Sequence, residues 1–200
     1  MLTSERFFSK NKVMSPLYFI TGNKKKLAEA RAIFPAIEGI EIDLPEIQSL
    51  DPREVIRAKL DAALAHHPGP FIVEDTSLTV HCMNGLPGTL IKWFLETIGA
   101  AGVARIAESF GDARATACTM IGYADGKNVE FFQGVVHGTV VAPRGVTGFG
   151  WDVIFIPEGH DRTFAEMTVE EKNAISMRRI AFEGLKAHLG TSFVNDHTAP

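Results

Sequence analysis

The sequence contains very little cysteine and no long run of one charge. Only Cys82 and Cys118 occur among the 200 residues, far apart and without a histidine at metal-ligand spacing. This pattern indicates neither a disulfide framework nor a structural zinc site, and it fits a reducing compartment. The formal net charge is -4, and the lack of a long basic stretch argues against a protein that grips a nucleic-acid backbone.

Long apolar runs are missing as well. No stretch approaches the length of a membrane span, and residues 1–15 are polar, unlike a secretory signal. We therefore expect a cytoplasmic protein that binds neither nucleic acid nor membrane. The 46% hydrophobic content suits a single domain over residues 16–190, flanked by a disordered extension at 1–15 and a flexible tail at 191–200. Basic residues in the extension leave an organelle-targeting role open.

The stretch Phe71-Ile72-Val73-Glu74-Asp75-Thr76 joins a buried-strand pattern to two adjacent carboxylates. Three apolar residues predict a strand inside the core, and the acids would follow at its end. Strand ends border the ligand crevice of an open α/β sheet, so acids there can hold a metal ion or activate water. A strand that simply ends in solvated polar residues is an equally good interpretation of this hexapeptide.

Three lysines, Lys24, Lys25 and Lys26, follow the turn Thr21-Gly22-Asn23 and open a predicted helix. Asn23 suits the N-cap, but positive side chains are unfavourable at the positive end of a helix dipole unless an anion offsets them. Backbone N–H groups and lysines together form an anion site, so phosphate is favoured over a solvated basic turn. The spacing matches neither a P-loop nor a dinucleotide fingerprint.

Two further segments place charged side chains in unusual positions. Residues 40–44 alternate apolar and polar side chains and predict a strand, which puts Glu46 just past a strand end. Asp51-Pro52-Arg53-Glu54 has the marks of a helix start, and Lys59 falls within the apolar stripe of that helix. Its amine either reaches water along the core surface or points into an anion site.

The second half of the chain predicts a β-rich region. Residues 115–124 and 129–136, joined by an Asp125-Gly126 turn, predict a hairpin, and residues 138–142 predict a further strand. Phe149-Gly150-Trp151-Asp152 then precedes a predicted strand at 153–156. Two rings and an acid around a glycine can cradle a planar heterocycle, although aromatic residues before a strand are more often core.

The last segment allows either one helix or two. Thr168-Val169-Glu170-Glu171 matches a capping box, yet Ser176 can also cap a later helix. In one unbroken helix Lys172 and Arg178 lie roughly 120° apart around the axis and cannot easily clasp one ligand. Joint binding of one phosphate chain by these two residues therefore requires a break near Ser176.

Six motifs, in order along residues 17–189, resemble the inosine triphosphate pyrophosphatase family. They are Thr21-Gly22-Asn23-Lys24-Lys25-Lys26, Leu44-Pro45-Glu46, Glu74-Asp75-Thr76, Gly85-Leu86-Pro87-Gly88, Phe149-Gly150-Trp151-Asp152 and Glu171-Lys172-Asn173. The resemblance implies hydrolysis of ITP, dITP and XTP to the monophosphate and pyrophosphate with Mg²⁺, for which Mn²⁺ can substitute. It also implies a homodimer whose elongated mixed β-sheet is flanked by helices, with two lobes and a central nucleotide-binding cleft.

The resemblance assigns roles to single residues. Asp75 takes a proton from the attacking water with help from Glu74, and Glu46 and Asp75 bind the metal. The substrate-binding residues it implies are Thr21, Gly22, Asn23, Lys24, Lys25, Lys26, Lys59, Thr76, Phe149, Gly150, Trp151, Asp152, Lys172, Met177 and Arg178.

One position departs from the family pattern. The family has Ser-His-Arg where this chain has Ser176-Met177-Arg178. The expected histidine hydrogen-bonds the 6-oxo group of a deaminated purine, and a thioether cannot donate such a bond. Losing it costs about 1 kcal/mol, or up to ~3 when the partner is left buried. We expect activity to survive, and the discrimination between 6-oxo and 6-amino purines to be open.

Two alternatives remain at the level of sequence. A pyrophosphatase of the septum-formation-inhibitor type would act on pyrimidine or modified nucleotides, and Phe149-Gly150-Trp151-Asp152 favours the purine enzymes over it. A nucleotide-binding regulator without catalysis is the other, and the presence of all the expected acids argues against it.

Overall fold

A computed structural model describes residues 16–190, so the predictions for residues 1–15 and 191–200 lie outside it. Its strands form one mixed seven-stranded sheet in the order β2-β1-β3-β5-β6-β7, with β4 paired to β3. β1 pairs in parallel with β2 and β3, and the remaining pairs are antiparallel. The strands are β1 (Leu17–Ile20), β2 (Ile37–Ile40), β3 (Phe71–Val80), β4 (Pro87–Gly88), β5 (Arg114–Ala124), β6 (Val129–Val140) and β7 (Phe155–Pro157).

Helices flank the sheet, which confirms the predicted mixed α/β class. The α-helices of residues 16–190 are α1 (Lys24–Ile33), α2 (Pro52–Leu64), α3 (Ile91–Thr97), α4 (Gly99–Phe110), α5 (Val169–Ile175) and α6 (Met177–Leu189). None of them is long and apolar enough to cross a membrane.

The predicted helix starts are confirmed. The Asn23 side chain accepts hydrogen bonds from the backbone N–H groups of Lys25 and Lys26, and Asp51 caps α2 in the same way. Thr168 caps α5, and Ser176 ends α5 and caps α6, accepting from the Arg179 backbone N–H at 3.2 Å. The last segment therefore forms two helices that are separated at Ser176. This is the break required if Lys172 and Arg178 are to bind one ligand together.

Several predicted strand boundaries are wrong, and in each case the partner strand explains the difference. No strand covers residues 41–44, because β1 turns away after Ile20, whose partner Ile40 is the last paired residue of β2. Residues 138–140 are the end of β6 and no separate strand, since β5 continues alongside to Arg114. At residues 152–154 the chain forms a short 3₁₀ turn, so β7 begins only at Phe155.

The most consequential correction concerns the two adjacent acids. β3 does not end at Val73; it is ten residues long, because β5 pairs with it as far as Val80. Glu74 and Asp75 therefore lie in mid-strand. Side chains alternate between the faces of a strand, so these two carboxylates point to opposite sides of the sheet.

Both faces of the sheet are covered where the acids lie. Ile72 packs with Phe182 and other residues of α1 and α6 on one face. Val73 packs with Ile56 and Leu60 of α2 on the other. Glu74 thus lies on the same face of the sheet as Ile72, toward α6, and Asp75 lies on the same face as Val73, toward α2. Each acid therefore meets a different set of basic side chains.

Candidate functional site

A cleft of about 1020 Å³ opens over the middle of β3 and brings most of the predicted site residues together. The turn after β1, one side of α2, the loop before β7 and the junction of α5 with α6 all border it. The predicted residues that line it are Thr21, Gly22, Asn23, Lys26, Glu46, Lys59, Glu74, Asp75, Thr76, Phe149, Gly150, Trp151, Asp152, Lys172, Met177 and Arg178. Lys24 and Lys25 are exposed and do not line it, and the Lys25 amine instead reaches the loop that precedes Phe149.

Glu74 is buried in a dense set of donors. Its Oε2 accepts from Arg178 Nε at 2.7 Å, and its Oε1 accepts from Arg178 Nη2 at 2.9 Å. Thr76 Oγ1 donates to it at 2.8 Å, and Lys26 Nζ lies 3.2 Å from Oε1. Burial alone would raise the pKa of Glu74, but the charges of Arg178 and Lys26 and the hydrogen bonds outweigh it and hold that pKa well below its usual range. Glu74 is thus a fixed anion that anchors Arg178.

Asp75 faces the other side of the sheet and meets Lys59 of α2. Lys59 Nζ donates to Asp75 Oδ1 at 3.1 Å and lies 3.5 Å from the Glu74 carbonyl oxygen. Lys59 is only 8% exposed, so its amine lies against Asp75 at the cleft and does not reach out along the core surface to water. Within residues 16–190, no hydrogen bond reaches Asp75 Oδ2, which leaves this oxygen free toward the cleft.

Glu29 of α1 links two further cations and was missed by the sequence prediction. Its Oε1 accepts from Lys172 Nζ at 2.9 Å, and its Oε2 accepts from Arg178 Nη1. The signal was available, since Glu29 follows Lys26 by three positions and residues so spaced share a helix face. The break at Ser176 is what allows Lys172 and Arg178 to meet at one carboxylate.

Asp152 lies in the base-pocket motif and is almost fully buried. It accepts from Lys172 Nζ at 2.7 Å and from the Phe149 backbone N–H at 2.8 Å. Burial raises the pKa of Asp152, although the charge of Lys172 opposes the rise. Through these two hydrogen bonds the Asp152 carboxylate connects the loop that carries Phe149 to Lys172 of α5.

The two aromatic residues of this motif differ in their surroundings. Trp151 is 6% exposed and packs edge-on against Phe155, with ring centroids 5.5 Å apart, so most of its ring belongs to the core. Phe149 is half-buried and carries Lys172 Nζ 5.0 Å from its ring centroid. Lys25 Nζ donates to the Gly148 carbonyl at 3.2 Å, which fastens this loop to α1. Phe149 is thus the less buried of the two rings, and it borders the cleft with Lys25 Nζ 5.8 Å and Lys172 Nζ 5.0 Å from its ring centroid.

Glu46 lies in the segment between β2 and α2 and is exposed. Lys92 of α3 donates to Glu46 Oε2 at 2.6 Å, a partner that the sequence did not reveal. This hydrogen bond lowers the pKa of Glu46 below its ordinary value. Among the described residues no three acid, histidine or cysteine side chains cluster as metal ligands, so Glu46 and Asp75 are two carboxylates on one cleft and not a closed metal cage.

Met177 lines the cleft at the first position of α6. It is 2% exposed and packs in the same apolar cluster as Trp151, Phe155 and Phe164. The position assigned by resemblance to a hydrogen-bonding histidine is therefore occupied by a buried, apolar side chain.

Known proteins match this chain over most of its length. Inosine triphosphate pyrophosphatase of Schizosaccharomyces pombe is 43% identical over 182 residues, covering 88% of this chain and 96% of that protein. A HAM1 protein from Coxiella burnetii has a TM-score of 0.75 and is 28% identical, covering 88% of this chain and 98% of that chain.

A second solved structure, described as nucleoside-triphosphatase / dITP/XTP pyrophosphatase from Mycobacterium abscessus, has a TM-score of 0.65 at 27% identity, covering 84% of this chain and 97% of that chain. A sequence model of the Ham1 family matches residues 17–188. These matches confirm the resemblance carried by the six motifs, and the chain belongs to the Ham1 family.

Proposed function

We propose that this protein hydrolyses non-canonical purine nucleoside triphosphates, ITP, dITP and XTP, to the monophosphate and pyrophosphate, and so cleanses the nucleotide pool. The name of the S. pombe relative and the description of the M. abscessus structure support this activity. The observation that carries the proposal is the placement of Asp75, whose free oxygen faces the same cleft as Lys26, Lys172 and Arg178.

The acidic side chains of the cleft form ion pairs with basic side chains, and this pairing determines how much positive charge is left to offset a triphosphate. The pairs are Glu74 with Lys26 and Arg178, Asp75 with Lys59, Asp152 with Lys172, Glu29 with Lys172 and Arg178, and Glu46 with Lys92. Because these charges offset each other, a triphosphate adds negative charge that the cleft does not balance by itself. An additional cation would supply the balance.

The residues present fit a magnesium ion. Mg²⁺ is commonly held by one or two carboxylates together with substrate phosphates and water, and it does not need a cage of protein ligands. Glu46 and Asp75 line the same cleft, and within residues 16–190 one oxygen of each accepts no hydrogen bond. When bound there, Mg²⁺ or Mn²⁺ would neutralise charge that develops on the leaving pyrophosphate.

The side chains of the chain divide the remaining work. Asp75 orients the attacking water and takes its proton, while Lys59 fixes the direction of the carboxylate from 3.1 Å. Lys26, Lys172 and Arg178 hold the phosphates in line with that water. Glu74 assists by holding Arg178 in place, which is an indirect role and differs from proton transfer.

The base is held at the other end of the cleft. The Phe149 ring, which lines the cleft, stacks on the purine, and Asp152 and Gly150 complete the pocket. Met177 offers an apolar contact there and no hydrogen-bond donor.

We also propose, from the family resemblance, that the protein is a homodimer and works in the cytoplasm. Sedimentation or size-exclusion chromatography with light scattering tests the oligomeric state.

Product analysis with a substrate panel tests the proposed function. The purified protein is incubated with Mg²⁺ and either ITP, XTP, ATP, dTTP or UTP, and released pyrophosphate and phosphate are measured separately. We expect pyrophosphate and IMP from ITP. Faster turnover of the pyrimidine nucleotides would favour the septum-formation-inhibitor type of activity, and binding without any turnover would favour a regulator.

A further inference from the structure

Gly134 of β6 lies directly beneath the first turns of α6. A Cβ atom placed on Gly134 would meet the Met177 carbonyl oxygen, and it would lie only 2.7 Å from the Ala181 backbone nitrogen. Real Cβ atoms do not approach other atoms within 3.0 Å, and the obstructing atoms are backbone, which cannot rotate away. Helix α6 can therefore rest on β6 at this depth only because residue 134 has no side chain.

This contact lies on the same face of the sheet as the cationic side of the cleft. In the strand registers Thr76 of β3 is opposite Thr119 of β5, and Thr119 is opposite Gly134 of β6. Residues opposite one another in paired strands point to the same face, so this row runs from the cleft to the seat of α6. Along it the side chains are small, and Thr76 Oγ1 lies 3.4 Å from Thr119 Oγ1.

The same helical turn carries Arg178. Its guanidinium reaches back over the row and donates to Thr76 Oγ1 at 3.3 Å and to Glu74 at 2.7 and 2.9 Å. Hydrogen bonds of this kind depend steeply on distance and angle. A helix raised from β6 by the width of a methyl group would carry Met177 and Arg178 out of their present positions.

We propose that Gly134 is a positioning residue of the nucleotide site: it sets the height of the α6 N-terminus above the sheet, and thereby the place of the Arg178 guanidinium. Gly134 touches no substrate. Its effect runs through Arg178, so it governs how tightly the triphosphate is held. This inference rests on the proposed function for the identity of the ligand.

The test is Gly134→Ala, assayed for KM and kcat with ITP and for ITP affinity by calorimetry with Ca²⁺ in place of Mg²⁺. We expect KM and Kd to rise at least about tenfold, the cost of one misplaced charged hydrogen bond. In an Arg178→Ala background the same change should raise Kd by less than about twofold, because the route through Arg178 is already lost. Equal effects in both backgrounds would overturn the proposal.

The matched control is Gly138→Ala, further along the same strand. A Cβ there would meet the Ile156 carbonyl and lie 2.7 Å from Phe155 Cζ, so the clash is comparable but faces β7. We expect a similar fall in melting temperature and an ITP affinity within about twofold of the parent protein. An equal loss of affinity in Gly138→Ala would mean that general loosening of the sheet is responsible, and this too would overturn the proposal.

A second variant covers the case in which Gly134→Ala does not fold. Ala181→Val adds bulk beside the same contact, because the Ala181 side chain is fully buried and its backbone nitrogen lies over residue 134. It should weaken ITP affinity in the same direction, and unchanged affinity would contradict the proposal. A parent protein that binds ITP but releases no pyrophosphate would overturn the proposed function alone, since the affinity measurements would still decide the role of Gly134.

Discussion

Glu74 and Asp75 are neighbours in the chain, yet their carboxylates serve different faces of β3: Glu74 binds Arg178 at 2.7 and 2.9 Å, whereas Asp75 meets Lys59 at 3.1 Å. The two acids therefore differ in function as well as in direction. Glu74 is buried and saturated with donors, which suits an anchor. Asp75 is partly exposed and keeps an oxygen open to the cleft, which suits reaction with water.

Replacing Glu74, which anchors Arg178, should lower the free energy of unfolding. Glu74→Gln leaves Arg178 buried with only Glu29 as a charged partner, and breaking a buried pair of this kind costs about 3 to 5 kcal/mol. Chemical denaturation at neutral pH measures the free energy of unfolding. The exposed Glu130→Gln is the control and should change it by less than about 0.5 kcal/mol.

The same pair makes a specific contribution to acid stability. The pKa of Glu74 is lower in the folded protein than in the unfolded chain. The charged Glu74 therefore stabilises the fold fully above the unfolded-state pKa of roughly 4.3. This stabilisation is lost as the pH falls from that value toward the folded-state pKa. The parent protein should lose stability in that window, and Glu74→Gln should lose less. Denaturation curves from pH 5 to pH 3 measure the slopes, and equal slopes would show that the Glu74 charge is not linked to folding.

The lysines after Asn23 should not be equivalent. Lys26 lines the cleft and contacts Glu74, so Lys26→Ala should raise the KM for ITP at least about tenfold. Lys24 is exposed and outside the cleft, so Lys24→Ala should change KM by less than about twofold. Steady-state kinetics at low and high salt distinguishes a contact from a diffuse charge effect, and equal losses in both variants would contradict the assignment.

Position 177 should determine how well the protein separates 6-oxo from 6-amino purines. Met177→His would restore a donor at the base, so the ratio of kcat/KM for ITP over ATP should rise about five- to tenfold, the value of one neutral hydrogen bond. Met177→Leu is the matched control, since it keeps the position apolar, and its ratio should stay near that of the parent protein. An unchanged ratio in Met177→His would show that this residue does not read the base.

Local signals in the sequence were sufficient for the starts of α1, α2, α5 and α6. Asn23, Asp51 and Ser176 are N-caps because their short polar side chains satisfy free backbone N–H groups, and that requirement is visible in the sequence. Lys59 was conspicuous because a cation within an apolar stripe needs a partner. The motifs placed the remaining site residues by resemblance.

The features that sequence reasoning predicted wrongly or missed depend on residues that are distant in the chain. The pattern at residues 40–44 alternates as a strand should, but β1 provides no partner beyond Ile20. The length of β3, and with it the mid-strand position of Glu74 and Asp75, is set by β5, which begins only at Arg114. The pairing of Glu46 with Lys92 and the seat of α6 on Gly134 likewise arise only from tertiary packing.

The metal requirement should depend on Glu46. Chelation with EDTA should abolish pyrophosphate release, and added Mg²⁺ should restore it. Glu46→Gln should raise the Mg²⁺ concentration for half-maximal rate at least about tenfold while leaving the rate at saturation closer to that of the parent protein. A Mg²⁺ titration of both proteins at fixed ITP measures this, and identical curves would exclude Glu46 as a metal ligand.

The direct test of Asp75 as the group that activates water is the turnover of Asp75→Asn with ITP, measured beside its ITP affinity. Asparagine keeps the size of the side chain and removes the base, so we expect kcat to fall about 10²- to 10⁴-fold. The Kd for ITP, measured without a divalent ion because Asp75 is also a proposed metal ligand, should remain within about threefold of the parent value. Pyrophosphate release within tenfold of the parent rate would contradict the central role of Asp75.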